Sequence, residues 1–161
     1  MIKINLITVG KLKEKYWRDA VAEYSKRLSA FCKLEIIELN ESKLSDDPSD
    51  KQKLSALEAE AKAILPYIEI KSSFTFAMCI EGKQMTSEEL SKKLDLCGAN
   101  GFSTVNFIIG SSFGIADSIK KRSDAQLSMS EMTFPHQLAR VMLIEQIYRA
   151  FQISANTRYH K

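Results

Sequence analysis

Apolar residues gather in five short stretches, Ile2–Val9, Leu34–Leu39, Phe74–Ile80, Thr104–Ile109 and Gln126–Met129, which alternate with polar residues or run unbroken. Stretches of that length predict strands, the unbroken ones buried on both faces. Between them lie longer segments with apolar residues every three or four positions: Glu14–Ser29, Ser49–Leu65, Ser87–Leu96, Ile115–Ser123 and Pro135–Ile153. That period predicts helices. Strict alternation of strand and helix predicts an α/β fold, a mainly parallel sheet with helices on both faces and right-handed crossovers. Thr86-Ser-Glu-Glu offers a hydroxyl cap and a following carboxylate for the third helix. Pro66 is expected to end the second helix at Leu65. Asn40–Asp50 reads as a polar loop, and with no repeat and no linker the chain 1–161 reads as one domain.

The last helix breaks the pattern. Val141-Met-Leu-Ile144 is followed by Ile147, Tyr148, Ala150 and Phe151, so the helix is apolar around most of its circumference. It needs cover on two sides. The sheet supplies one, and a second copy in an isologous homodimer is the simplest source of the other.

No apolar run approaches the roughly 18–20 residues that span a bilayer, and the N-terminus reads as a strand rather than a signal peptide, so no membrane association and a cytoplasmic location are expected. Three cysteines without CxxC spacing argue against a disulfide framework, and Cys79, inside an apolar run, reads as a small core residue. Two histidines without an HxxxH pair leave a metal short of ligands, so no metal is expected. The net charge of +3 is unevenly spread: residues 1–33 carry 8 Lys/Arg against 3 Asp/Glu, and residues 111–161 carry 7 against 4. The intervening segment is acidic, with 8 against 13. Two basic ends that met in space would suit a polyanion, although solvated lysines on long helices give the same tally.

The distinctive chemistry lies in the last third. Phe107-Ile-Ile-Gly-Ser-Ser-Phe-Gly114 breaks a strand into a glycine-bearing loop that feeds a helix. Ser128-Met-Ser-Glu-Met-Thr-Phe-Pro-His136 does the same, and Ile80-Glu-Gly-Lys83 follows a third strand. In parallel α/β sheets, ligands bind at such strand ends, and three loops there would form a pocket for a flat polar molecule. The glycine loop is neither GxGxxG nor a P-loop, and ordinary turn geometry would explain each loop singly. His136 falls in the first turn of the last helix, with Thr133 as a candidate cap. The positive helix end there suits a neutral base, with a structural histidine as the alternative. Arg140 lies one turn on, on the same side. Glu145 and Arg149 are spaced for an ion pair. The end Arg158-Tyr-His-Lys161 carries a ring, an imidazole and two cations, equipment suited to RNA.

Taken together, Phe107–Gly114, Ser128–Arg140, Glu145-Gln-Ile-Tyr-Arg-Ala-Phe151 and the terminal Tyr159-His-Lys resemble the ribosomal RNA large subunit methyltransferase H family. Val9-Gly-Lys-Leu-Lys-Glu-Lys-Tyr-Trp17 and Glu23-Tyr-Ser-Lys-Arg27 extend the resemblance nearly end to end. It implies a SPOUT-type fold with a C-terminal trefoil knot, a homodimer, and methyl transfer from S-adenosylmethionine to N3 of a pseudouridine in 23S rRNA. The implied substrate is the assembled ribosome, not DNA. By position, the donor should contact Met78, Gly110, Met129, Ser130, Glu131, Met132, Thr133 and Phe134. His136 and His160 become candidates for base or proton relay, with Tyr159 and Arg140 orienting it, the tail of one subunit completing the site of the other. Met78 stands where the family usually has Leu, and Ser111 where it usually has a second glycine. Ala155-Asn-Thr-Arg158 replaces the family's Arg-Gly-Glu-rich approach to the tail.

Two rivals remain from the residues themselves. A non-catalytic nucleic-acid-binding module predicts no affinity for the methyl donor. A small-molecule enzyme predicts a dispensable tail.

Overall fold

A computed structural model describes residues 1–161. Five strands, β1 (Lys3–Val9), β2 (Lys33–Leu39), β3 (Ser73–Gln84), β4 (Thr104–Ile109) and β5 (Ala125–Ser128), form one sheet in the order β2-β1-β4-β3-β5. Every pairing is parallel. Helices α1 (Lys15–Leu28), α3 (Ser87–Ala99) and α5 (His136–Ser154) share one apolar core with Ile4, Leu6, Phe76 and Phe107. Helices α2 (Asp50–Ile68) and α4 (Asp117–Arg122) cover the other face, over Ile7, Val9, Ala77 and Ile108. The α/β class, the parallel sheet and the two helical layers are those the periodicity predicts.

The central strands are buried on both faces, which explains their continuous apolar runs. One polar row interrupts them. Asn5 on β1 faces Asn106 on β4, which faces Thr75 on β3. Asn5 Nδ2 donates to Asn106 Oδ1 at 2.9 Å, and Asn106 Nδ2 donates to Thr75 Oγ1 at 3.1 Å and to the Tyr67 carbonyl at 3.3 Å.

That last bond bears on a sequence expectation that fails. Pro66 does not end α2, which runs on to Ile68. Proline removes a donor and crowds the carbonyl one turn back. The final turn nonetheless closes through Glu69 N to the Leu65 carbonyl at 3.1 Å, and Asn106 satisfies one of the end carbonyls from the sheet. Both α2 and α3 begin with complete capping boxes, Ser49/Gln52 and Thr86/Glu89. By contrast α5 has Pro135 at its N-cap and no side-chain cap, so Thr133 does not serve there.

Along helix α5 only the last residue, Ser154, is exposed. Its flanks are covered within the same chain, by α1 on one side and α3 on the other. Its all-round apolar character therefore has an internal explanation, and by itself calls for no second subunit.

Candidate active site

Strand β4 ends at Ile109 in Gly110, where the chain turns back so tightly that a Cβ on Gly110 would lie 2.1 Å from the Gly114 carbonyl oxygen. Ser111 bridges to Gly114, whose N–H donates to the Ser111 carbonyl at 2.8 Å and whose φ is +89°. Gly110 is thus demanded by the turn itself. Ser111, in place of a second glycine, turns its hydroxyl toward α2, where it donates to Glu60 Oε2 at 3.0 Å. Both residues are buried. Burial pushes the Glu60 carboxyl above the ordinary carboxylate range, while the Ser111 bond pulls it back.

The neighbouring wall comes from β3, which runs four residues beyond its expected end at Ile80. Leu127 of β5 stands opposite both Met78 and Lys83, so Cys79–Gly82 bulges out of the ladder. A Cβ on Gly82 would lie 2.7 Å from the backbone of Gln126. Lys120 of α4 pairs with Glu81 on this bulge, which raises the lysine's pKa and lowers the glutamate's. The third wall follows β5. Ser128 Oγ donates to the Ser130 carbonyl and Met132 N donates to Ser130 Oγ, both at 3.0 Å, so short hydroxyl side chains shape the turn before α5.

These three loops enclose a cavity of about 730 Å³ at the C-terminal ends of β3, β4 and β5. Of the residues expected at the methyl donor, Met78, Gly110, Met129, Ser130, Met132, Thr133 and Phe134 line it; Glu131 is exposed and does not. His136 lines it too, at the start of α5. Because nothing caps that helix, its first N–H groups remain available to an anion or a carbonyl. Three exposed apolar side chains, Ile80, Phe113 and Met132, stand around the cavity. Sequence reasoning missed Cys79, a cavity residue and not a core one, and Lys120, Leu127 and Ala139. The signal for Cys79 and Lys120 lies in Gly82, which the sequence marks as a strand-end loop without revealing its contact with β5.

The other expected site residues lie outside this cavity. Arg140 is 1% exposed. It donates from Nη1 to Glu38 Oε2 at 2.7 Å and from Nη2 to the Gly10 carbonyl at 3.0 Å, while its Nε has no partner. It braces the end of β1 and does not line this cavity. The tail folds back along α5: Tyr159 Oη donates to Glu145 Oε1 at 3.1 Å, and His160 Nε2 lies 2.7 Å from Glu88 Oε1 in the first turn of α3. Glu145 and Arg149 form the spaced pair expected, at 2.6 Å. Burial and the Glu145 carboxylate together push the Tyr159 phenol up. The basic ends do meet: Arg27 and Tyr24 of α1 pack on Tyr148, and Tyr148 packs on Tyr159.

A cavity open on one side, lined by methionines and other apolar side chains, backbone donors and one imidazole, suits a ligand with a flat ring and a short polar arm, next to a group that loses a proton. The chain matches, over residues 2–160, the family model described as "Predicted SPOUT methyltransferase". It is 51% identical over 160 residues to the ribosomal RNA large subunit methyltransferase H 1 of Clostridium perfringens, covering 99% of this chain and all of that one. It is likewise 51% identical, over the same share of both chains, to the large subunit methyltransferase H of Bifidobacterium adolescentis. A solved structure concerned with the 2-OH methylation of C/U34 on tRNA superposes with a TM-score of 0.52 at 14% identity, over 96% of this chain and 98% of that one. That likeness is one of fold.

Proposed function

Because this chain belongs to the ribosomal RNA large subunit methyltransferase H family of SPOUT methyltransferases, we propose that it transfers a methyl group from S-adenosylmethionine to N3 of a pseudouridine in 23S rRNA, on the assembled ribosome in the cytoplasm. The observation that carries this reading is the single cavity in which the expected donor loops and His136 converge. Met78, Ile115, Leu127 and Met129 offer apolar surface to an adenine ring, and the turn around Ser130 offers backbone polar groups. The sulfonium supplies an activated methyl group, so the protein's main task is alignment.

Pseudouridine N3 is an imide nitrogen that must shed its proton to act as a nucleophile. His136, at the cavity wall, is the proposed acceptor of that proton, and the uncapped N-terminus of α5 stabilises the developing oxyanion. Arg140 acts through others: it fixes Gly10 and holds the helix that presents His136. Tyr159 and His160 lie on the outside of α3 and α5 in their own subunit. In the proposed homodimer they complete the partner's cavity, whose apolar margin at Ile80, Phe113 and Met132 needs a cover. The trefoil knot belongs to the same reading: Met129–Pro135 would thread between the loops after β3 and β4 before α5 docks.

The test is tritium transfer from the methyl donor to 70S ribosomes lacking the modification, with the labelled nucleotide identified by mass spectrometry. Label on N3 of one pseudouridine, with His136→Gln lowering kcat while donor affinity holds, is the expected result. Label on another position, or none from a folded protein that binds the donor, overturns the assignment.

A further inference from the structure

A second cavity of about 900 Å³ lies beside the first, over the C-terminal ends of β1 and β2. The two share Ser112 and Phe113 as a common wall. Its charged lining is Lys11, Lys13 and Lys43 against one carboxylate, Glu41. All three lysines are exposed, and none has an acidic partner within ion-pair distance. Unpaired ammonium groups gathered along one groove act as point charges for phosphate.

We propose that this groove seats the ribose–phosphate backbone of the RNA strand flanking the target base, with Lys11, Lys13 and Lys43 contacting its phosphates. The inference rests on the RNA methyltransferase reading above and deepens it. Three features favour a strand over a lone phosphate. The groove is open and its cations come from two separate loops, after β1 and after β2, so they span more than one phosphate. At its junction with the donor cavity stands Phe113, 40% exposed, a flat ring on which a base can stack. Its floor is Gly10, at φ +100°, and a Cβ built there would lie 3.9 Å from His136 Nε2 and 3.5 Å from Glu41 Oε2. A strand lying in the groove therefore reaches the imidazole at the edge of the donor cavity, where a single nucleotide turned inward would meet the methyl group. This also gives a task to Val9–Trp17, a basic stretch that the donor cavity leaves unused.

Two triple variants test it: Lys11→Gln/Lys13→Gln/Lys43→Gln, and a control of equal charge, Lys26→Gln/Lys33→Gln/Lys71→Gln, at the opposite, N-terminal ends of the strands. Donor affinity is read by calorimetry and methylation of 70S ribosomes by steady-state kinetics across a KCl series. The groove variant should keep donor affinity and kcat within about twofold, raise KM, and flatten the slope of log(kcat/KM) against log[KCl] by about 2, at about 0.7 per lost phosphate contact. The control should keep the wild-type slope. A groove variant indistinguishable from the control overturns the proposal, as does a parallel loss of donor affinity, which would assign the groove to the donor. If the wild-type chain methylates no ribosome, the functional reading fails by itself. The groove is then judged by salt-dependent cosedimentation with ribosomes, where the same change of slope supports it and an unchanged slope ends it.

Discussion

Replacing Ser111 with Ala removes the one side-chain donor to a carboxylate that is 5% exposed. A hydrogen bond to a charged group contributes about 1.5–3 kcal/mol, and its loss leaves the buried carboxylate with only the Ser42 backbone donor. At pH 7 the variant should therefore be about 2 kcal/mol less stable, which for a chain of this size lowers Tm by about 4–8 °C. Glu60→Gln is the informative partner. It keeps an acceptor for Ser111 but removes the cost of burying a charge, so it should be neutral or stabilising at pH 7. The pH dependence fixes the sign. Burial raises the Glu60 pKa in the folded chain above its unfolded value, so the associated stability is full at low pH and is lost as pH rises through the folded pKa. Losing the Ser111 bond raises that pKa further, so the Ser111→Ala deficit should be widest at neutral pH and narrow toward pH 4. Glu60→Gln should flatten this part of the profile. Urea melts at fixed protein concentration measure both. A Ser111→Ala variant within about 0.5 kcal/mol of wild type at pH 7, or a Glu60→Gln variant equally damaged, would refute the reasoning.

Gly82→Ala should cost about 1–3 kcal/mol, because its Cβ meets the Gln126 backbone at 2.7 Å; it should also weaken donor binding in calorimetry, since β5 leads directly into Met129–Phe134. The Arg140–Glu38 pair should respond asymmetrically, because the arginine side chain is 2% exposed and the glutamate 35%. Glu38→Ala strands a buried cation and should cost about 3–5 kcal/mol, whereas Arg140→Met leaves a carboxylate that water reaches and should cost about 1 kcal/mol; in a double-mutant cycle the pair of changes should match Arg140→Met alone. Burial pushes the Cys32 thiol up to about 11, so Ellman's reagent at pH 8 should label only Cys79 in the native chain, and S-adenosylmethionine should slow that labelling; rapid reaction of Cys32 would contradict the packing.

The periodicity of the chain located all ten elements, because parallel strands buried on both faces carry unbroken apolar runs and amphipathic helices carry a clear stripe. It failed where distant partners decide. Pro66 reads locally as a stop, but the turn beyond it is held by Asn106, thirty-nine residues on. The pattern ends β3 at Ile80, four residues short, because what prolongs the strand is the passage of β5 over Gly82. Most of the residues that the resemblance assigns to the methyl donor line one cavity. The direction of the Ser111 hydroxyl and the burial of Arg140 are not legible in the sequence. Each depends on an acid contributed by another element, Glu60 and Glu38, and neither acid marks itself in the linear pattern.

The row Asn5–Asn106–Thr75 acts as a vernier. Sliding β1 or β3 against β4 by one residue would turn the whole apolar set of that strand to the wrong layer. Sliding by two in the direction that brings Ile7 or Ala77 opposite Asn106 would restore the layer but leave the amide facing an aliphatic side chain in a dry core, where an unpaired polar group costs about 1–3 kcal/mol. The amides thus oppose a slip that hydrophobicity alone would tolerate. Since Gly10, Gly110 and the Met78 bulge all hang from the upper ends of those same three strands, a lock in the middle of the sheet sets the relative heights of the loops that wall both cavities.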